Sequence, residues 1–463
     1  MTFKAENWGR KGRMEQEKFF EQSYLDALRD YVYSCKEGKG EKWDWIILTA
    51  ASEKQAEIYR LQVKKRKEEK WLPAGTRIAV IADYKNERTG SGGATLNVLR
   101  YIGMQDGFDS LLNKKILVIH SGGDSRRIPQ YSACGKLFAP VPRILPGGSI
   151  SSIFDELLIL ASGIPGRTGQ GMMIFPSDTE MLFSTLQLDI LTCDVAGLSI
   201  KAPVTEGKEH GVFLQGNVES GDGNRYITKF LHKLSEEELR KAGAADDRDQ
   251  VDIDTGCIWL GRNVLAALIS LITVHGKFDR TQFEKYVNPR ACLNFYADFV
   301  YPLSDCGTLE EFLGQAPENG ISQELLSCRR SIWEKLHGFR LSLIKMAPAR
   351  YIHFGMTHEL FDLFVNDIDG YVYLGWEKRI HTNAESGTVL NSCVSAKARL
   401  AERVFAEDSF IGNGVTVCDG AVLSNIEAED CLIPDDTVLS GIRLENGKYV
   451  CRIYGREDNP KAS

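Results

Sequence analysis

Near the end of the chain, apolar residues fall six apart: Phe405, Ile411, Val417 and Leu423, then, after a three-residue slip, Ile426, Leu432 and Val438. Glycine, asparagine and aspartate fill the intervals. This spacing marks a left-handed parallel β-helix, in which each face turns one apolar side chain inward and each coil covers the one before it. The alternative is a β-meander with accidental spacing. Seven positions fitting with one slip favour the β-helix. A stack this short reads as a packing or oligomer module.

The chain before it follows another rule. Residues 45–49 (WIILT), 77–82 (RIAVIA), 115–119 and 171–175 (GMMIF) read as buried strands. Residues 17–35, 53–70, 96–104 and 151–161 read as helices between them, and residues 1–15 as a loose arm. Such alternation predicts a mostly parallel α/β sheet with ligands beyond the carboxyl ends of its strands. In the second helix, Lys64, Lys65, Arg66 and Lys67 read as a solvated face. Residues 309–346 read as linking helices.

Composition narrows the function. A net charge of −7 argues against a general nucleic-acid binder. Eleven scattered cysteines, without a CxxC pair or zinc spacing, read as reduced thiols in a cytoplasm. The first twenty residues carry charge but no apolar core of a signal peptide. No apolar run approaches the roughly 20 residues that span a bilayer.

The chemistry concentrates in residues 118–143, VIHSGGDSRRIPQYSACGKLFAPVPR. A strand ends, the chain turns through Gly122-Gly123 into Asp124-Ser125-Arg126-Arg127, and Gly135-Lys136 follows. Glycines let backbone N–H groups approach phosphate oxygens, arginines add fixed positive charge, and a lysine returns to the same anion. The pattern points to an enzyme that handles a nucleoside triphosphate and releases pyrophosphate. A tight turn with surface basic residues is the plain alternative.

This loop resembles the nucleotide-binding loop of sugar nucleotidyltransferases, with Ser125 at its small position. GSGGATLNVL (90–99), HSGGDSRRIPQYSACGK (120–136), EHGVF (209–213), DIDTGCIWL (252–260) and RYIHFGMTHEL (350–360) sharpen the resemblance to the GDP-L-fucose pyrophosphorylase family. They look most like the pyrophosphorylase half of bifunctional fucokinase/fucose-1-phosphate guanylyltransferases. The likeness runs from about Trp43 to residues 454–460. It implies an arm and helix over residues 1–42, a Rossmann-like nucleotidyltransferase domain over 43–308, a helical connector over 309–349 and a left-handed β-helix over 350–463. In the bifunctional enzymes, a segment like YGRED leads on to a GHMP-type sugar kinase. This sequence ends at Ser463, which leaves open a kinase never fused or one half of a longer protein.

The resemblance implies GTP and β-L-fucose 1-phosphate as substrates, in fucose salvage, with Mg²⁺ as cofactor. Lys136, Arg126 and Arg127 would neutralise the triphosphate. Ser121, Gly122, Gly123, Asp124 and Ser125 would wrap it. Ser91, Gly92, Gly93 and Thr95, at a helix start, would cradle phosphate or read a guanine edge, or form a turn packed beside the loop. Asp178, ending a strand in FPSD, is expected to hold the metal, with a helix N-cap as its plain alternative. Asp298 is a second metal candidate. His210, Gly211, Lys233, Asp254 and Gly256 are expected around the sugar phosphate. His353 and His358 read as core or domain-contact histidines before they read as a metal pair. Partners would be the two small molecules and a fused or separate fucokinase, with no nucleic acid or membrane, and a homo-oligomer through the β-helix. Rival readings are a pyrophosphorylase for another sugar 1-phosphate or nucleotide, and a non-catalytic sugar-nucleotide-binding module. Acyl transfer in the tail is disfavoured, since it holds no histidine after His381.

Overall fold

The computed structural model describes residues 10–38, 40–123, 125–216, 226–232, 234–316 and 320–459. Among these residues the centre is a nine-stranded mixed sheet. Strands β1 (Trp45–Ala50), β2 (Arg77–Ala82), β3 (Lys115–His120) and Gly171–Pro176 pair in parallel, in the order β2-β1-β3-171–176. The long strand Gln250–Gly261 then joins antiparallel to Gly171–Pro176 and carries Gly211–Gln215 and Val195–Pro203.

Both faces of the parallel part are covered, which is why its strands are almost continuously apolar. Ile46, Leu48, Leu117, Ile119, Met173 and Phe175 enter the core on one side. Trp45, Ile47, Ile116, Val118, Met172 and Ile174 alternate with them into the core on the other. Because the strands run the same way, Ala51, Asp83, Ser121-Gly122 and Ser177-Asp178 follow their carboxyl ends along one edge of the sheet.

Of the apolar residues at helical spacing in helix α1 (Arg10–Glu37), Phe20, Tyr24 and Tyr31 are buried and Leu28 is half-buried. It starts inside the segment read as a loose arm. Helix α2 (Glu53–Glu68) corrects the reading of its basic cluster. Lys64, Lys65 and Lys67 are exposed, but Arg66 is buried and forks onto Asp155 at 2.6 and 2.7 Å. That bidentate pair ties α2 to the chain following Lys136, where Arg66 also lies over Phe138.

The connector is not purely helical. Helices Leu309–Gly314 and Gln323–Leu336 are followed by strand Leu341–Lys345, which extends the central sheet beside Val195–Pro203. Arg350–His353 likewise pairs with Thr179–Leu182, not with the tail. The tail's own repeat starts at Arg379. There the chain visits three parallel ladders in rotation, represented by 388–390/405–407/422–424, 393–394/410–411/427–428 and 399–400/416–417/432–433. Its coils are shorter than a strict hexad predicts: Phe405 pairs with Val422, and Val422 with Val438. The hexad therefore holds within one coil and slips at the next. Leu432 is 65% exposed, and Ile433, paired with Val417, takes its place inside. Phe405 and Val438 are buried, but in the cluster that joins the coil to the main body. Val389, Ala406, Ile411, Val417, Leu423 and Ile433 fill the interior.

Candidate functional site

The glycine loop begins where β3 ends. Ser121 is anchored to β1, its N–H donating to the Thr49 hydroxyl at 3.0 Å and its hydroxyl to the Thr49 carbonyl at 2.5 Å. It is a buried loop anchor rather than an exposed phosphate contact. Gly122 runs close to Ala50 and Ala51, and beyond it Gly123 faces open space. Asp124 lies outside the described residues. Ser125 takes a positive φ of 50° to turn the chain, and Arg126 and Arg127 are exposed after it. The loop returns through Gly135, whose φ is +81° and where a Cβ would lie 2.1 Å from the Tyr59 hydroxyl oxygen. Only glycine fits, and it delivers Lys136 to the carboxyl edge of the sheet.

There Lys136 Nζ donates to Asp178 Oδ2 at 2.5 Å, tying the returning loop to the carboxyl end of strand Gly171–Pro176. His353 Nε2 lies 3.9 Å from the same oxygen. Its Nδ1 lies 3.1 Å from Glu359 Oε2. Desolvation opposes ionisation of Asp178, but Lys136, His353 and Arg127 outweigh it and hold its carboxyl well below the usual range. The influence of Arg127 places the basic loop in the same field. Desolvation likewise works against Glu359, and His353 prevails, bringing it down to about 2. On sequence alone His353 reads as a core or domain-contact histidine. Its position depends on Arg350–His353 pairing with Thr179–Leu182, which sets it opposite Thr179, the residue after Asp178. No local pattern announces that pairing.

The residues expected around the sugar phosphate partly converge here. The His210 ring meets Tyr351 at 5.8 Å and His353 at 6.0 Å between centroids. A Cβ on Gly211 would sit 3.3 Å from Asp254 Cβ, so strand Gly211–Gln215 brings His210 and Asp254 to one place. Asp254 Oδ1 accepts from Gly256 N at 2.8 Å, and burial pushes its carboxyl up to about 7. Tyr296, unremarked in the sequence, donates its hydroxyl to the Gly256 carbonyl at 2.8 Å and lies in the field of Asp254 and Asp178. Lys233 lies outside the described residues.

A cavity of roughly 1180 Å³ opens at the carboxyl ends of β1, β2 and β3, lined by Asp83, Gly90, Ser91, Ala94, His120, Gly122 and Gly123 among others. Helix α3 (Gly90–Asp106) starts on its wall. The glycines there serve packing first. Gly92 donates its N–H to the Leu293 carbonyl at 2.8 Å, and a Cβ on Gly93 would strike Thr89. The Gly92 N–H is therefore occupied, a correction to the phosphate-cradle expectation. The Ser91 hydroxyl accepts from Phe295 N at 2.8 Å. Thr95 bonds the Ser91 carbonyl and lies 3.2 Å from His120 Nε2, so it positions His120 at the cavity. Asp298 also lines this cavity, but it is not brought to Asp178. Its carboxylate takes Arg329 Nε at 2.8 Å and Asn294 N at 2.6 Å, leaving it committed to a buried ion pair. His358 faces Glu457 instead of the site.

Among the described residues, no three His, Cys, Asp or Glu side chains cluster as a self-sufficient metal site. Asp178 is a single hard oxygen donor held ionised. That suits a cation such as Mg²⁺, which keeps waters and takes its remaining oxygens from substrate phosphates.

A parallel sheet whose carboxyl edge carries a glycine loop, a returning lysine and an ionised aspartate defines a nucleotidyltransferase-type α/β enzyme. Residues 108–463 match the fucose pyrophosphorylase domain, and the chain belongs to that family. It is 27% identical over 450 residues to the Mus musculus protein named fucose-1-phosphate guanylyltransferase, covering 92% of this chain and 76% of that protein. The Homo sapiens protein of the same name is 24% identical over 457 residues, covering 92% and 74%. The Arabidopsis thaliana bifunctional fucokinase/GDP-fucose pyrophosphorylase is 24% identical over 472 residues, and this chain spans 42% of its length.

Proposed function

We propose that the chain is a fucose-1-phosphate guanylyltransferase, joining GTP and β-L-fucose 1-phosphate into GDP-L-fucose and pyrophosphate in fucose salvage. The observation that carries this reading is Lys136 held on Asp178 within the field of Arg127, at the carboxyl edge of the sheet. A phosphate oxygen of the sugar 1-phosphate attacks the α-phosphorus of GTP. A new P–O bond forms as the bond to the pyrophosphate oxygen breaks, and pyrophosphate leaves with that electron pair. The attacker is already an anion, so no general base is needed and catalysis is positioning plus charge neutralisation. Lys136 would turn its ammonium from Asp178 to the triphosphate, with Arg126 and Arg127 facing the departing phosphates. Asp178, freed of Lys136, would hold Mg²⁺, whose chemistry here is to offset phosphate charge. His210, Asp254 and Tyr351 would meet the sugar phosphate.

The tail is read as a left-handed β-helix that packs against the catalytic body and offers a surface for a homo-oligomer. A fucokinase, separate or fused, would supply the sugar 1-phosphate. A non-catalytic sugar-nucleotide-binding module is disfavoured, because the Lys136–Asp178 pair is intact beside the arginines.

The test is a matrix of four nucleoside triphosphates against several sugar 1-phosphates, with and without divalent metal, read by pyrophosphate release. Release with GTP and fucose 1-phosphate supports the proposal. No release with any pair would sink it, and phosphorylation of free fucose by ATP would point to a kinase.

A further inference from the structure

Among the described residues, three carboxylates line the cavity, and their situations differ. Asp298 is committed to Arg329, and Glu311 to Lys229 at 3.1 Å and the Tyr301 hydroxyl at 3.1 Å. Asp83 stands apart. It is 9% exposed, lines the cavity and receives the Thr89 backbone N–H, and among the described residues no basic side chain ion-pairs with it. Arg88 acts on it through its field.

Its place in the sheet is informative. Asp83 follows β2, and its backbone N–H donates to the Ala50 carbonyl at the end of β1. Gly122 lies on the other side, against Ala50 and Ala51. From the phosphate loop to Asp83 is therefore about two strand spacings, roughly 10 Å, about the reach of a nucleoside from its 5′-phosphate to the edge of its base. Helix α3 contributes Gly90, Ser91 and Ala94 to the same cavity, small residues that leave room for a base.

We propose that the Asp83 carboxylate reads the base of the nucleotide, accepting N1–H and N2–H of a guanine. This rests on the guanylyltransferase reading and deepens it by naming the residue that chooses the base. A carboxylate is acceptor-only and has two oxygens in a plane. Guanine presents two adjacent donors that match it. Adenine sets a bare N1 in that position, and uracil flanks its single N–H with carbonyl oxygens, so both leave like poles opposed. The state of Asp83 agrees with this. Burial pushes it up to about 7, ahead of the opposing pull of the Thr89 N–H and Arg88. Two N–H donors from a base would stabilise the anion that burial disfavours. A buried acceptor left facing another acceptor is costly, which makes the device selective.

The experiment compares GTP, ITP, XTP and ATP in wild type and Asp83→Asn, by kcat/KM for pyrophosphate release and by calorimetric binding of each nucleotide. Inosine lacks the 2-amino group, so wild type should lose about 10–100-fold in kcat/KM from GTP to ITP, the worth of one hydrogen bond to a charged group. Asparagine keeps an oxygen for N1–H but turns an N–H₂ toward position 2. Asp83→Asn should therefore lose GTP activity by about 10²-fold or more and prefer XTP, whose 2-oxygen accepts. A gain of XTP use is not expected from a merely structural role for Asp83. Equal use of GTP and ITP by wild type, or an Asp83→Asn enzyme that still favours GTP over XTP, would overturn the proposal. The ITP comparison needs no variant, so it stands if Asp83→Asn fails to fold. If wild type releases no pyrophosphate, the guanylyltransferase reading fails, while calorimetric discrimination between GTP and ITP still decides the role of Asp83.

Discussion

Lys136 and Asp178 hold each other, and each is also the natural counter-charge for a group of opposite sign: a phosphate for the lysine, a cation for the aspartate. Removing the lysine leaves Asp178 without its closest cation and the triphosphate without a donor. Lys136→Ala should lower kcat by about 10²–10³, as for loss of one transition-state charge contact, with the fold retained by circular dichroism. A wild-type rate on folded variant would remove Lys136 from the chemistry. Asp254 makes a second prediction, through pH. Its carboxyl lies near 7 in the fold because it is buried, against about 3.9 in an unfolded chain. The folded state thus keeps a proton that the unfolded state has released. Stability from this group is full below about pH 4 and declines as pH rises toward 7, by up to roughly 4 kcal/mol. Asp83 acts in the same direction. Urea unfolding at pH 5 and pH 8 should show the decline in wild type and a smaller one in Asp254→Asn; identical slopes would contradict the assignment. The loop residues were legible because glycine, arginine and lysine at those spacings have a local chemical logic. His353 and Asp83 were not. One reaches the site by pairing strands far apart in sequence, and the other becomes notable only once burial and a cavity surround it.

The elements teach a similar lesson about register. A six-residue apolar period identified a three-faced tail, but each rotation consumes 17 residues between Phe405 and Val422 and 16 between Val422 and Val438. Extrapolating the hexad past one coil therefore put Leu432 inside and overlooked Ile433. Leu423→Ala, which empties a fully buried position, should cost about 2–5 kcal/mol. Leu432→Ala should stay within about 0.5 kcal/mol. Chemical denaturation of both variants checks the register, and equal losses would restore the strict hexad. The tail also does not stand clear of the site. Arg452 donates to the Pro129 carbonyl at 2.6 Å and the Ser132 hydroxyl at 2.9 Å, and the Tyr131 hydroxyl donates to Glu407 at 2.8 Å. All three loop residues lie between Arg127 and Lys136, so the coil braces the segment that carries both charges. Arg452→Ala should lower kcat/KM about tenfold with little change in melting temperature. An unchanged kcat/KM would show that the brace is dispensable.

At the scale of the molecule, the alternation of strands and helices was enough to anticipate a parallel sheet with its ligand edge, because two covered faces impose continuous apolar strands. It was not enough to foresee how much of the later chain returns to that sheet. Leu341–Lys345 adds a strand beside Val195–Pro203, and Arg350–His353 supplies a histidine to the aspartate. Such returns are set by long-range packing, which overrides a reading of residues 309–349 as connector and of Arg350–His353 as the start of the β-helix. The body and the coil accordingly form one working unit built around Lys136 and Asp178. Guanylyl transfer by that unit is tested most directly by incubating the purified chain with GTP, fucose 1-phosphate and Mg²⁺, then quantifying GDP-fucose and pyrophosphate together. The expected result is the two products in equal amounts, abolished when either substrate is omitted. Pyrophosphate without GDP-fucose, or neither product from folded protein, would contradict it.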